Sequence, residues 1–215
     1  MRAALFLAFA LALAGCSRPL AEGERAFARD VFGESFDVER ARVAQGFGVL
    51  PASTQARPLP ESSGRIEPRP GVCDRTQPGR EPGPPPAFAI GNTVHVMSEW
   101  YRPDTLPGWP GAVLLPQALI MAHELAHVWQ WQNRRVTGYR PGRALLESFV
   151  RADPYFYRPG DGAGFLKYGY EQQATLIEDY LCYLLFDPTA PRRAELHGIL
   201  APVFPVDRLD RALDR

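Results

Sequence analysis

Histidine is scarce in this chain, with four among 215 residues. Two of the four, His123 and His127, stand four positions apart around a glutamate in MAHELAHVWQWQ, Met121 to Gln132. Cysteine is scarcer still, at three. With Cys16 set aside for the reason given below, Cys73 and Cys182 allow one disulfide or two buried thiols, and spacing does not choose between them. An excess of either charge is also missing. Lys and Arg total 24, Asp and Glu total 24, and no run of like charge stands out. That removes any electrostatic case for nucleic acid or an anionic surface as partner. Arginine greatly outnumbers lysine, and Ala, Gly and Pro are plentiful, a coding bias without functional content. There is no internal repeat. The apolar run near the start, Ala3 to Ala14, is too short to cross a bilayer as a permanent helix.

What that run does offer is a targeting signal. Arg2, the apolar stretch and then small residues describe a secretory signal peptide over 1–15. Its end, Leu13-Ala14-Gly15-Cys16, resembles the lipobox of bacterial lipoproteins, in which cleavage leaves the cysteine as a lipid-modified first residue. A plain secreted protein with an incidental Cys16 is the other reading. Several acyl chains on one residue anchor stably where one chain alone binds marginally. The expectation is a lipid-anchored, periplasm-facing envelope protein, with Ser17 after the cysteine leaning toward the outer membrane. An oxidising compartment permits the Cys73–Cys182 bridge.

The length suits one medium domain with a core, plus a tail or linker. Helical spacing of Ala26, Phe27, Val31 and Phe32 predicts a short helix ending at Gly33, then an extended segment, over 16–50. From 51 to 86 the composition shifts to ten prolines with few large apolar residues. Such a segment cannot bury enough surface to fold alone and reads as a loop or strap, pinned through Cys73 if the bridge forms. The core is expected over 87–190. AFAIGNTVHVM reads as a strand or a tight hairpin about Gly91-Asn92. Pro116 opens a strong helix running to about Arg135, with Ala118, Leu119, Ala122, Leu125, Ala126 and Trp129 on its buried face. RALLESFV is a further short helix, followed by an aromatic, Gly-rich loop. YEQQATLIEDYLCYLLF is a second strong helix that Asp187-Pro188 ends. Residues 191–215 read as a short helix and a loosely held tail. The fold class is α+β, with two central helices and a small sheet.

Residues four apart on a helix share one face, so His123 and His127 can both reach a single tetrahedral ion. Glu124 lies beside them, placed to take a proton from water on that ion. The metal this donor pattern points to is Zn2+. A metzincin third histidine is absent from Trp131 to Thr137, which leaves a carboxylate. The late helix offers Glu171, Glu178 and Asp179. Glu171 and Glu178 are seven apart on one face, so one can bind metal while the other orients a ligand histidine. Tyr168, Tyr170, Tyr155 and Tyr157 are candidate oxyanion donors, with aromatic packing the plainer alternative. His95 reads as a structural strand residue, and His197 is assigned no role. The strand about His95 offers either a substrate-binding edge or an ordinary central position.

HELAH followed by Glu171-Gln172-Gln173-Ala174-Thr175 resembles the gluzincin arrangement of HExxH with a later Glu-x-x-Ala-(Asp/Asn). More narrowly, DVFGESFDVERARV, AIGNTVHVMSEWYRPD, MAHELAHVWQWQ and YEQQATLIEDY resemble the DUF4157/Vgr-related group of zinc metallopeptidases. The resemblance spans about 25–187, with the Pro-rich insert unmatched. It implies a zincin-like fold, His123, His127 and Glu171 as zinc ligands, Glu124 as base, and a peptide or protein substrate in the envelope. Thr175 departs from the Asp or Asn of the pattern, which passes its supporting contact to Glu178 or Asp179. The competing expectation is a secretion-associated binding module whose zinc is structural.

Overall fold

The structure, a computed structural model, describes residues 16–55, 66–75, 84–150, 153–158 and 164–214. The signal peptide expected over 1–15 lies outside them.

Strand β1 (Ser17–Pro19) leads directly into helix α1 (Glu22–Phe32), which Gly33 ends with a φ of 60°. Strand β2 (Arg42–Gln45) follows, then the Pro-rich segment, then β3 (Ala87–Ile90) and β4 (Thr93–Val96). Gly91 and Asn92 form the two-residue loop of a β3–β4 hairpin, Ile90 pairing with Thr93. Gly91 has a φ of 61°, the left-handed conformation a tight hairpin requires and a glycine supplies without strain. The strand order is β1-β2-β4-β3, antiparallel at both outer pairs and parallel between β2 and β4. A parallel pair needs a long crossover, and residues 46–86 supply it.

Helix α2 (Gln117–Gln132) is buried over most of its circumference, because it lies between the sheet and another helix. That is why its sequence is apolar nearly all round rather than striped. A short turn of helix, α3 (Arg134–Thr137), and α4 (Pro141–Val150) follow. Helix α5 (Tyr170–Phe186) packs along α2 and carries Ala174, Leu176, Ile177, Tyr180 and Leu181 into the core, each at most 2 % exposed. Burial of side chains of this size stabilises by about 1.5–3 kcal/mol apiece. The α+β architecture stands as expected: seven helices and one mixed four-stranded sheet among the described residues.

Two expectations about the periphery resolve differently. Residues 191–215 are no loose tail: α6 (Pro191–Leu200) and α7 (Val206–Leu213) fold back onto the core. Leu196, Leu200, Phe204, Val206 and Leu209 are buried, and Arg208 Nε reaches Asp30 Oδ1 at 3.0 Å. The Pro-rich segment is fastened by the Cys73–Cys182 disulfide, with a Cα–Cα distance of 5.9 Å. That settles the open choice between a bridge and two thiols.

One buried ion pair locks the entry of the chain. Glu24, fully buried, accepts from Arg18 Nη1 and Nη2 at 2.7 and 2.8 Å, from Thr105 N and Oγ1, and from Ala21 N. A buried charge persists only when paired and hydrogen-bonded to this degree. Beside it, a Cβ on Gly23 would fall 1.9 Å from the Leu106 carbonyl oxygen, so only glycine fits the α1–loop crossing.

Candidate metal centre

The helix period places His123 and His127 one turn apart on the face of α2 that meets α5. Their Nε2 atoms lie 3.3 Å from each other, and each is 3.2 Å from Glu171 Oε2. Glu171 enters from the first turn of α5. All three residues are at least four-fifths withdrawn from solvent, and together they form a group able to hold a metal ion.

The far side of each imidazole fixes its tautomer. His123 Nδ1 is 3.0 Å from Glu178 Oε2, two turns along α5 from Glu171. His127 Nδ1 is 2.9 Å from Gln130 Oε1. The orientation of that amide is set in turn, because Gln130 Nε2 donates to Tyr170 O and Gln173 Oε1, both at 3.0 Å. Gln173 Nε2 itself donates to Tyr168 O. Both Nδ1 atoms therefore face acceptors and carry the ring protons. Both Nε2 lone pairs, and a carboxylate oxygen, converge on one point.

Three acceptors so close require a positive charge between them. In the metal-free state protons supply it. Burial opposes charge on His123, but hydrogen bonds to Glu171 and Glu178 hold its pKa well above the ordinary value, and Glu171 raises His127 likewise against burial. Against the same burial, the imidazoles pull Glu171 far below the carboxylate range, and His123 lowers Glu178. A zinc ion fits the same point: ligands about 2.0–2.1 Å from a tetrahedral centre stand about 3.3 Å from one another, the separations found here.

Glu124 is placed by the same helix and differs from its neighbours. Burial raises its pKa, and its Oε2 has no hydrogen-bond partner among the described residues. A buried carboxylate oxygen left unpaired beside a cation site is available for proton transfer.

Not every expected residue joins the centre. Asp179 points away from the histidines, toward Arg75 Nε at 3.0 Å and the Tyr157 hydroxyl, which donates to it at 2.7 Å. One residue along a helix is a rotation of about 100°, so Glu178 and Asp179 cannot both face His123. Glu178 alone gives the supporting contact, while Thr175 donates its hydroxyl to Glu171 O at 2.9 Å. Tyr157 is thereby committed to Asp179, and Tyr170 donates to Gly138 O at 2.6 Å, so neither hydroxyl serves as an oxyanion donor. The Tyr168 ring packs 6.2 Å from Tyr157. The Tyr155 ring lies 5.6 Å from His123, and Tyr139 is close enough to feel the charges of Glu171 and Glu124. Tyr139 is half-buried, its ring tilted against Tyr170 with centroids 4.9 Å apart, and its pKa is pushed up to about 12 by burial and by the charges of Glu171 and Glu124.

Sequence reasoning passed over Gln130, Tyr139 and Arg75. Gln130 carried a signal, since it stands three residues beyond His127 on the same helix face. Tyr139 and Arg75 carried none, because each arrives through a turn or the disulfide. His95 is structural, as expected: Nδ1 lies 3.2 Å from Gly46 O and the ring stacks on Phe88. His197 pairs with Asp207 at 2.9 Å near Asp210, whose charge Arg193 already matches.

No family model matches this chain, and no curated protein matches it. Among solved structures it is similar to the effector domain of Pseudomonas aeruginosa VgrG2b. The identity is 22%, the match covers 86% of this chain and 83% of that one, and the TM-score is 0.48. A likeness this distant carries no argument about family or activity.

Proposed function

We propose that this protein is a zinc-dependent hydrolase of peptide bonds, held at a bacterial envelope membrane through Cys16. The observation that carries the reading is the convergence of His123 Nε2, His127 Nε2 and Glu171 Oε2, with each Nδ1 turned to an acceptor outside the cluster. Zinc bound there supplies a Lewis acid and, at an open position, a water acidified toward neutrality. Glu124 takes the proton from the attacking water and passes it to the departing amine. Glu178 and Gln130 keep the two imidazoles aimed. Tyr139 and Tyr155 are the phenols this reading leaves for the reacting carbonyl, since Tyr157 and Tyr170 are engaged elsewhere.

The anchoring half has its own support. Residue 16 enters the sheet at once, with Ser17 opposite Ala44, and Cys16 Sγ lies 3.4 Å from Val49 O. Phe47, Val49 and Leu50 stand beside it, each at least 74 % exposed. Membrane contact at Cys16 would bring these apolar side chains against lipid. Among the described residues no helix is long and apolar enough to cross a membrane.

A second reading, a secretion-associated module with a structural zinc, draws on the low exposure of His123 and His127, 9 % and 8 %. The test is zinc content of protein beginning at Cys16, against Glu171→Ala, followed by a peptidase screen with Glu124→Gln as control. About one zinc per chain, lost in Glu171→Ala, together with hydrolysis lost in Glu124→Gln, supports the enzyme. Zinc binding without hydrolysis, with unfolding on zinc removal, supports the structural module. An unmutated protein that takes up no zinc overturns both.

A further inference from the structure

The Pro-rich strap reaches the metal centre from behind. Cys73 is bonded to Cys182 on α5, and three further contacts hold the strap against the same helix. Arg69 N donates to Phe186 O at 2.9 Å, the Tyr183 hydroxyl donates to Asp74 Oδ1 at 2.5 Å, and the Arg69 guanidinium lies over the Phe186 ring. Cys182 stands four residues beyond Glu178 and three beyond Asp179, so it neighbours each of them one turn along α5. The bridge thereby delivers Arg75, two residues past Cys73, to these two carboxylates.

There the guanidinium makes a defined fork. Arg75 Nε lies 3.0 Å from both Asp179 oxygens, and Nη2 lies 3.5 Å from Glu178 Oε1. Glu178 uses its other oxygen, Oε2, on His123 Nδ1. One carboxylate is thus held from two sides, by a cation behind and an imidazole in front. Two adjacent carboxylates on one helix repel each other, and Arg75 is the cation placed between them.

We propose that Arg75, delivered by the Cys73–Cys182 bridge, is a positioning residue for the metal centre: it fixes the Glu178 carboxylate on His123 and so sets how tightly the site binds a divalent metal. The inference rests on the reading of His123, His127 and Glu171 as metal ligands. The strap, which the reaction itself does not need, becomes the outer layer of ligand support. Partners that orient a ligand histidine are worth about 10–100-fold in metal affinity. Arg75 acts one layer further out.

The test uses the full chain with its disulfide intact, verified by mass after thiol alkylation. Zinc affinity is measured by chelator competition, and the visible spectrum is recorded after Co2+ replaces zinc. Glu178→Gln is expected to weaken zinc binding by about 10-fold or more, and Arg75→Ala by up to about 10-fold. Arg75→Lys keeps the charge but loses the fork and falls between. The Co2+ band shifts in Arg75→Ala, because His123 is no longer held in one orientation, while far-UV circular dichroism is unchanged. A strap that merely braces the fold would lower thermal stability and leave zinc affinity and the Co2+ spectrum as they were, and that result overturns the proposal. In metal-free protein the His123 Nδ1 proton resonance offers an independent readout. Its persistence in Arg75→Ala overturns the positioning role even if zinc never binds, whereas its loss with no zinc uptake by the unmutated chain discards only the metal reading.

Discussion

Glu124 and Glu171 lie within one small centre and are driven in opposite directions, which separates their roles. Glu171 is held ionised by two imidazoles, while Glu124 is raised by burial. Glu124→Gln is therefore expected to keep its zinc and lose hydrolysis, and Glu171→Ala to lose the zinc. Metal analysis beside a peptide-cleavage assay separates the two. Tyr139→Phe is expected to leave zinc content unchanged and to lower kcat by a factor on the order of 10², the usual size of a lost oxyanion donor. An unchanged kcat would remove Tyr139 from the site. The ionisations also set a pH dependence for the metal-free protein. The histidines, raised above 6.5, contribute stability that is complete below 6.5 and lost as pH climbs through their folded values. Glu171, lowered from 4.5, contributes stability that is present above 4.5 and lost as pH falls through its folded value. These groups together favour the metal-free fold most between pH 4.5 and 6.5. If zinc binds at this centre it displaces these protons, so adding it is expected to move the best pH upward, visible as a shift in the curve of Tm against pH with and without chelator.

At the scale of elements, the crossing of α1 with the loop before α2 leaves no room for a side chain at Gly23. Gly23→Ala forces a methyl against the Leu106 carbonyl and is expected to destabilise by about 1–3 kcal/mol in urea unfolding. Gly142→Ala, near the start of α4 with open space at its Cβ, is the control and is expected to stay within about 0.5 kcal/mol. The helices that carry the ligands were legible in the residues: α5 runs over Tyr170–Phe186, the segment its apolar pattern marks, and α2 begins directly after Pro116. α6 and α7 were only partly legible, because a narrow apolar stripe acquires meaning once Phe32, Tyr180 and Asp30 are there to receive it. The same limit hid the direction of Asp179, which depends on the rotation of α5 against α2.

Over the whole molecule, the sheet edge at β1 brings Cys16 and an apolar loop to one place. If Cys16 carries lipid, Phe47, Val49 and Leu50 lie in the membrane interface. A fluorophore placed by Leu50→Cys on the lipid-anchored chain in phospholipid vesicles is expected to shift to the blue and to be quenched by spin-labelled lipid. The same probe at Val136, also exposed, serves as the comparison and should do neither. Equal behaviour at both positions would leave the loop without a membrane role. The bridge from Cys73 to Cys182 spans 109 residues, and in the chain-entropy account closing a loop of that size stabilises by about 4.7 kcal/mol. Reducing it is expected to lower the unfolding midpoint by a corresponding amount.

Local pattern by itself determined the two helices that carry the candidate ligands, the HELAH turn, the strand-forming stretch about Gly91-Asn92 and the weakness of the Pro-rich segment, since each follows from spacing, turn chemistry or composition within a few residues. Tertiary structure decided the rest. Glu171 rather than Glu178 meets both Nε2 atoms, Gln130 and Glu178 aim the rings, and Arg75 arrives across the disulfide. Those outcomes depend on the rotation of one helix against another and on which distant segments close upon them, and no periodicity within a single segment encodes either.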